Sequence, residues 1–353
     1  MPDIQLRFHK DMLVLSAPTD VTLSRQGINV ARDRQYLNLM EPDVMTDALR
    51  LESIAGAQCL VTQTEDITSA RLAHARMEGD AKTLAHAAVQ IVSELKPQHI
   101  LAEIGPCGLP LDPSSQASLN ENRKQYADAA RAFEDERIDA FFLNGFTNLD
   151  DLRCALMGVA QVSSAPIFAS VIICEPDSAA ALREAEAKAR AASSSAAGTP
   201  DEQVLESISP GAFFQGYELV DADPYGGALV SRAPLAAERW PEAVALMEDQ
   251  GAAVIGFETP EPAFRAVEYA RHAAEITDRP LLAQLRITLD PNARQPAPLK
   301  PLEDILDYTP DTMAPAAVKL YGAGVQFLRA TGNATPSFTG ALAATVFGLD
   351  VRS

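Results

Sequence analysis

The stretch YGAGVQFLRATGNATP, residues 321–336, contains the local pattern that decides the fold of this chain. A helix end at Tyr321 is followed by glycines, by an apolar strand at residues 325–329, and by a loop of small residues that Thr335 and Pro336 close. Such a loop offers backbone N–H groups and lets a ligand approach closely. The order helix, strand, loop is typical of one unit of a fold with parallel strands.

Seven further apolar runs precede this one, with helical patterns between them. We predict strands at residues 12–15, 57–62, 99–104, 138–143, 166–173, 252–257, 280–285 and 325–329. We predict helices at residues 42–54, 66–74, 81–95, 121–135, 150–162, 240–250, 262–276 and 312–321. This alternation predicts an α/β fold, and eight repeats predict a closed (βα)8 barrel, the TIM barrel. The alternative is a doubly wound sheet, although no Gly-x-Gly-x-x-Gly motif follows the first strand.

One long segment interrupts the repeat after the fifth predicted strand. We expect residues 1–353 to form a single barrel domain, with residues 175–235 as an insertion on its C-terminal face. Residues 178–197 are rich in Ala, Ser and charge and predict a polar surface helix, and aromatic residues and glycines follow. A loop of this length is functional or disordered. The insertion is therefore either a lid over a ligand or a tolerated addition.

Composition limits the classes of protein to consider. The 353 residues carry a net charge of −19, so nucleic acid and anionic membrane are excluded as main partners. The four cysteines form no C-x-x-C pair, which favours a reduced setting. We find neither a signal-peptide pattern nor an apolar run of membrane-spanning length. We therefore expect a cytoplasmic protein.

A set of short motifs lies in order along nearly the whole chain. The motifs are Thr-Gln-Thr at 62–64, Gly-Pro-Cys-Gly at 105–108, an apolar run ending in Asn-Gly-Phe-Thr at 144–147, the strand at 251–256, and the closing Thr-Pro at 335–336. Together they resemble the homocysteine S-methyltransferase family, which includes the homocysteine-binding half of cobalamin-dependent methionine synthase. The resemblance implies a TIM barrel and methyl transfer to the thiol of homocysteine.

The chain differs from this family at the positions that bind the metal and the substrate in the family. The resemblance implies a zinc ion held by three thiolates, which lowers the pKa of the substrate thiol. At those positions this chain has Thr259, Thr331 and Gly332. The resemblance also implies two carboxylates that bind the amino group of homocysteine, and here those positions are Ser16 and Asn144. All five changes belong to one site.

We predict a ligand site at the C-terminal mouth of the barrel, where the loops after parallel strands meet. We expect it to hold a small-molecule ligand and to use neither a metal nor another cofactor. Its candidate ligand-binding residues end or follow predicted strands: Ser16, Gln63, Glu103, Asn144, Glu258, Thr259, Arg286, Arg329, Thr331 and Asn333.

Two features of this predicted site have alternative interpretations. Glu103 either forms a salt bridge with Arg286 or Arg329, or Arg286 and Arg329 recognise a polar or anionic ligand on which Glu103 or Glu258 acts as an acid or base. Cys107 and Cys174 form a replacement metal site only if a third ligand joins them. The simpler interpretation is two ordinary reduced cysteines.

Two functions fit these observations. The first is a methyltransferase-type enzyme that acts without zinc on a different acceptor or donor. The second is a non-catalytic binding protein, a partner of a corrinoid or methyl-transfer protein. A small molecule bound at the mouth favours the first, and a large exposed apolar patch over that face favours the second.

Overall fold

A ring of eight parallel strands surrounds the core of the computed structural model, which describes residues 3–28, 30–176, 234–288 and 308–350. In the described residues the strands are β1 (Leu13–Val14), β2 (Cys59–Val61), β3 (His99–Ile104), β4 (Ala140–Phe146), β5 (Ile167–Cys174), β6 (Leu235–Ala236), β7 (Val254–Thr259), β8 (Leu281–Ile287) and β9 (Val325–Gly332). The short strand β6 pairs with β5 outside the ring.

Strand pairing closes the ring into a barrel. The sheet runs in the order β1-β9-β8-β7-β5-β4-β3-β2, and every pairing is parallel. The two ends meet at a parallel bridge between Leu15 and Cys59, where the N–H of Ser16 donates to the carbonyl of Cys59 over 2.9 Å. The predicted TIM barrel is thereby confirmed, and the doubly wound sheet is excluded.

The helices of the described residues form the outer layer. They are α1 (Asp20–Arg25), α2 (Val30–Met40), α3 (Pro42–Ala55), α4 (Ser69–Ala73), α5 (Ala81–Glu94), α6 (Gln116–Arg131), α7 (Leu149–Val162), α8 (Trp240–Asp249), α9 (Ala263–Ile276), α10 (Pro310–Tyr321) and α11 (Pro336–Asp350). The sequence patterns missed α1, α2 and α11. Helix α11 has no charged residue before Asp350, so no alternation of apolar and polar faces marks it as a helix.

Strand β9 is longer than the sequence predicts. We placed its end at residue 329 and a loop after it, but β9 extends to Gly332. The reason is its register with β8, which pairs Arg286 with Thr331 and Ile287 with Gly332. The two thiolate positions of the family pattern that follow the last predicted strand, Thr331 and Gly332, therefore belong to the barrel wall in this chain.

The barrel interior changes from apolar to polar along the strands. Its apolar cluster includes Leu101, Phe142, Phe168, Leu282 and Phe327, with the rings of Phe168 and Phe327 4.8 Å apart. Side chains alternate along a strand, so the next inward positions are two residues further on. In five strands these positions are polar, and they are Glu103, Asn144, Ser170, Gln284 and Arg329. This switch places a polar network directly beneath the mouth.

Two long internal stretches lie outside the described residues. Residues 177–233 include nearly all of the predicted insertion, with its predicted helix at 178–197, and the second stretch is residues 289–307. Among the helices that the structure does describe, none has the length and apolar character needed to cross a bilayer.

Candidate ligand site

The inner part of the site is a buried network around Glu103. Its carboxylate oxygen Oε1 accepts hydrogen bonds from Nη1 of Arg329 over 3.1 Å and from Nδ2 of Asn144 over 2.7 Å. Gln284 joins the network, since its Nε2 donates over 2.8 Å both to Oδ1 of Asn144 and to the hydroxyl of Ser170. The structure thus pairs Glu103 with Arg329 and surrounds the pair with amides.

Arg329 is held from several further directions. Its Nε donates to the carbonyl of Ser16 over 2.9 Å, and its Nη1 lies 3.3 Å from Oε1 of Gln284. The guanidinium carbon is 5.3 Å from the centre of the Phe142 ring, a cation–π distance. A buried charge is costly unless it is paired and hydrogen-bonded, and Arg329 meets both conditions. The structure therefore favours the salt-bridge interpretation of Glu103.

A second buried ion pair lies one layer nearer the mouth. Nε of Arg286 donates to Oε1 of Glu258 over 2.7 Å, and the hydroxyl of Thr331 donates to the same oxygen over 2.7 Å. Thr331 stands opposite Arg286 in the register of β8 and β9. This outer cluster brings together three of the predicted site residues. Within the described residues, each of the two pairs joins one carboxylate to one guanidinium.

Three of the four remaining predicted residues form hydrogen bonds with neighbouring loops at the rim of the mouth. The hydroxyl of Ser16 accepts from the N–H of Val61 over 3.0 Å, and the side-chain oxygen of Gln63 accepts from the hydroxyl of Thr19 over 3.3 Å. Asn333 donates to the carbonyl of Ile287 over 3.2 Å. These side chains join neither ion pair, although the carbonyl of Ser16 does contact Arg329.

The predictions missed several residues of the site. The sequence could have predicted Gln284 as a site residue, because Gln284 lies between inward-facing Leu282 and Arg286 at the spacing of alternate strand positions. No such spacing marks Glu261. Its N–H donates to the hydroxyl of Thr259 over 3.2 Å, and its carboxylate accepts from the hydroxyl of Tyr269. Burial and the neighbouring Glu261 raise the pKa of Tyr269. The sequence separation between Glu261 and Tyr269 hides this pair.

Glu52 is a further buried carboxyl group that the sequence did not reveal. Its Oε2 accepts from the N–H of Ala17 over 2.9 Å and from the hydroxyl of Thr339 over 2.6 Å. It thereby links the loop after β1 to the first turns of α11. Burial raises the pKa of Glu52 to about 7, despite the opposing effects of these two hydrogen bonds and of Arg329.

We predict that Glu52 makes the stability of the protein depend on pH. The folded chain holds the proton more tightly than the unfolded chain, whose pKa has the ordinary value of 4.5. The resulting stabilisation is fully present below pH 4.5 and is lost as the pH rises to about 7. Relative to Glu52→Gln, the wild type should lose about 2–3 kcal/mol of unfolding free energy between pH 5 and pH 8. Urea denaturation at both pH values measures this difference.

A matched control is Glu94→Gln on the exposed face of α5. It removes the same charge at a solvated position and should leave the pH dependence of the wild type intact. If the free energies of wild type and Glu52→Gln differ by the same amount at both pH values, the prediction is wrong.

The residues at the three thiolate positions do not fit a zinc ion. Two of them are hydroxyl groups already bonded within the protein, Thr331 to Glu258 and Thr259 to the N–H of Glu261. The third is Gly332, with φ +66°, where an added Cβ would lie 2.6 Å from the carbonyl oxygen of Ile287. Within the described ranges, no three His, Cys, Asp or Glu side chains cluster as metal ligands.

The cysteines do not supply a replacement site in the described part of the chain. All four are buried and none forms a disulfide. The thiol of Cys107 donates to Oδ1 of Asn122 on α6 over 3.1 Å. Burial raises the pKa of Cys59 and Cys154. This arrangement agrees with ordinary reduced cysteines.

A TIM barrel with a polar, charge-paired mouth is therefore the class that the fold and site define. The family model described as homocysteine S-methyltransferase matches residues 19–210, more than half of the chain. The chain belongs to the homocysteine S-methyltransferase family.

Solved structures give the same fold. The homocysteine methyltransferase MmuM from Escherichia coli matches in its metallated form with a TM-score of 0.64 and 14% identity, over 95% of this chain and 96% of that chain. Its oxidized form matches with a TM-score of 0.63 and 15% identity over the same shares. At this identity the likeness shows the fold alone. No curated protein sequence matches the chain.

Proposed function

We propose that this chain is a methyltransferase-type member of its family whose mouth has been rebuilt to bind, without zinc, a small polar ligand other than homocysteine. The observation that carries the proposal is the outer ion pair. Thr331, at the position of a zinc thiolate, donates its hydroxyl to Glu258, which in turn pairs with Arg286. Hydrogen-bonding groups thus stand where the family pattern has a metal ligand.

The chemistry of the mouth supports a polar ligand. The interior beneath it consists of carboxylates, guanidiniums and amides, all buried, rather than of an apolar pocket. Such groups favour ligands that hydrogen-bond, because an apolar ligand would leave them without partners. Glu258 is the candidate base. Its carboxylate would take the proton of the methyl acceptor as the acceptor forms its bond to the methyl carbon and the donor leaves with the electron pair of the broken bond.

Metal analysis and calorimetric titration with homocysteine test this proposal. We expect no stoichiometric zinc in the purified protein. Homocysteine should bind with a Kd above about 1 mM, because its sulfur finds no thiolate-held metal and its ammonium finds Ser16 and Asn144 in place of two carboxylates. Two lost charge-assisted hydrogen bonds weaken binding on the order of a hundredfold or more.

Mass spectrometry of the small molecules that co-purify would identify the ligand directly. One tightly held zinc per chain, micromolar affinity for homocysteine, or methionine formed from homocysteine and a methyl donor would overturn the proposal. A ligand that binds without turnover would instead favour a non-catalytic partner of a corrinoid or methyl-transfer protein.

A further inference from the structure

A groove of about 370 Å³ lies at the N-terminal end of the barrel, opposite the mouth, and we call it the basal groove. It crosses the start of β9, which pairs with β1 on one side and with β8 on the other. The segment that leads into β1 forms one wall, with His9 and Lys10. The loop between α9 and β8 forms the other wall, with Asp278 and Arg279. The volume is that of a site for a small molecule.

The basal groove has an apolar floor and an aromatic side chain at its edge. The floor includes Leu281 and Val325, which are buried at the starts of β8 and β9. Beside them Gly324 has φ +88°, and a Cβ at this position would meet no atom within 4 Å. The ring of Tyr321, at the end of α10, lines the same groove and is 46% exposed. A ligand therefore has free space and an aromatic surface for an apolar part.

The wall that carries Lys10 is fixed in place by a buried side chain of β9. Nε2 of Gln326 donates to the carbonyl of Arg7 over 2.7 Å and to the carbonyl of Asp11 over 2.6 Å. Oε1 of Gln326 accepts from the N–H of His9 over 2.9 Å. His9 has φ +60°, a conformation that a residue with a Cβ keeps only where its surroundings enforce it. These three bonds therefore fasten the turn at residues 7–11 to the barrel.

The charges that line the basal groove favour an anion. In the part of the chain that the structure describes, the side chains of Lys10 and Arg279 form no ion pair and no hydrogen bond with another residue. The carboxylate of Asp11 is paired with Arg7, which leaves Asp278 as one carboxylate against these two cations. The chain as a whole carries a net charge of −19, so a positive groove is a local exception that attracts anions.

We propose that the basal groove binds a small organic phosphate, with Lys10 and Arg279 on the phosphate group and Tyr321 against the organic part. The two walls lead into strands that both neighbour β9 and are therefore about 10 Å apart. A phosphate group between the walls has acceptor oxygens on several sides and up to two negative charges, so it can bridge both cations. A carboxylate has one charge and two coplanar oxygens, which a single guanidinium satisfies. This site lies at the other end of the barrel from the mouth and does not depend on the proposed function.

Three probes that share a benzene ring test the inference by ligand-observed NMR titration of the full chain. They are phenyl phosphate, benzoate and phenol. Wild type should bind phenyl phosphate about tenfold or more tightly than benzoate, because the carboxylate loses one of two charge-assisted contacts, and phenol should bind more weakly still. Lys10→Gln and Arg279→Gln should each weaken the binding of phenyl phosphate about tenfold and leave that of phenol unchanged. Both residues are exposed, so these variants should fold as the wild type does.

Two further variants separate the groove from a general effect of charge. Lys82→Gln removes one positive charge from the exposed face of α5 and should keep the affinity for phenyl phosphate. Tyr321→Ala should weaken the binding of phenyl phosphate but not that of inorganic phosphate. Equal affinity of wild type for phenyl phosphate and benzoate, no detectable binding of phenyl phosphate, or an affinity that survives the double variant Lys10→Gln, Arg279→Gln overturns the inference. The last of these results would place the probe elsewhere on the chain.

Discussion

Replacing Arg329 by methionine is expected to lower the free energy of unfolding by about 3–5 kcal/mol, the usual cost of leaving a buried charge without its partner. Glu103 would keep its hydrogen bond from Asn144 but lose the guanidinium 3.1 Å away. The carbonyl of Ser16 would lose its donor as well. Urea denaturation at pH 7 measures the change.

The double variant Glu103→Gln, Arg329→Met separates the missing charge from the missing packing. It removes both charges and should recover most of the lost stability, because a neutral amide is far less costly to bury than an unpaired carboxylate. Arg50→Met is the control, since Arg50 pairs with Asp47 on the exposed face of α3 and should contribute less than about 1 kcal/mol. A loss of under 1 kcal/mol in Arg329→Met would show that the inner pair is unimportant for stability.

The triple variant Thr259→Cys, Thr331→Cys, Gly332→Cys is expected to bind no stoichiometric zinc and to be destabilised by more than about 2 kcal/mol. A side chain at residue 332 meets the carbonyl oxygen of Ile287 at 2.6 Å and requires a positive φ that residues with a Cβ rarely adopt. The change at Thr331 also removes the hydroxyl that donates to Glu258. Elemental analysis and thermal unfolding measure the two effects.

The double variant Thr259→Cys, Thr331→Cys keeps Gly332 and serves as the matched control. We expect it to be less destabilised than the triple variant, because the strained position is untouched. If the triple variant held one zinc per chain at wild-type stability, the barrel mouth would still be compatible with the zinc site of the family.

The sequence by itself determined the barrel and the family, and it predicted where a ligand would bind. Eight apolar runs at strand length, separated by helical patterns, were enough for the barrel because these signals are local and repeat. The order of the motifs indicated the family. The threonines and glycine at the thiolate positions could be read directly, because each follows or ends a predicted strand. Polar residues at the ends of those strands then indicated where a ligand would lie.

Only the tertiary structure decided how these residues are paired. Glu103 and Arg329 lie on strands that are far apart in the chain, and the choice of Arg329 over Arg286 follows from strand register and ring closure. Register also extended β9 to Gly332, and packing against neighbouring helices formed α11, whose sequence lacks a polar face. These outcomes depend on contacts between distant segments, which no local pattern of residues encodes.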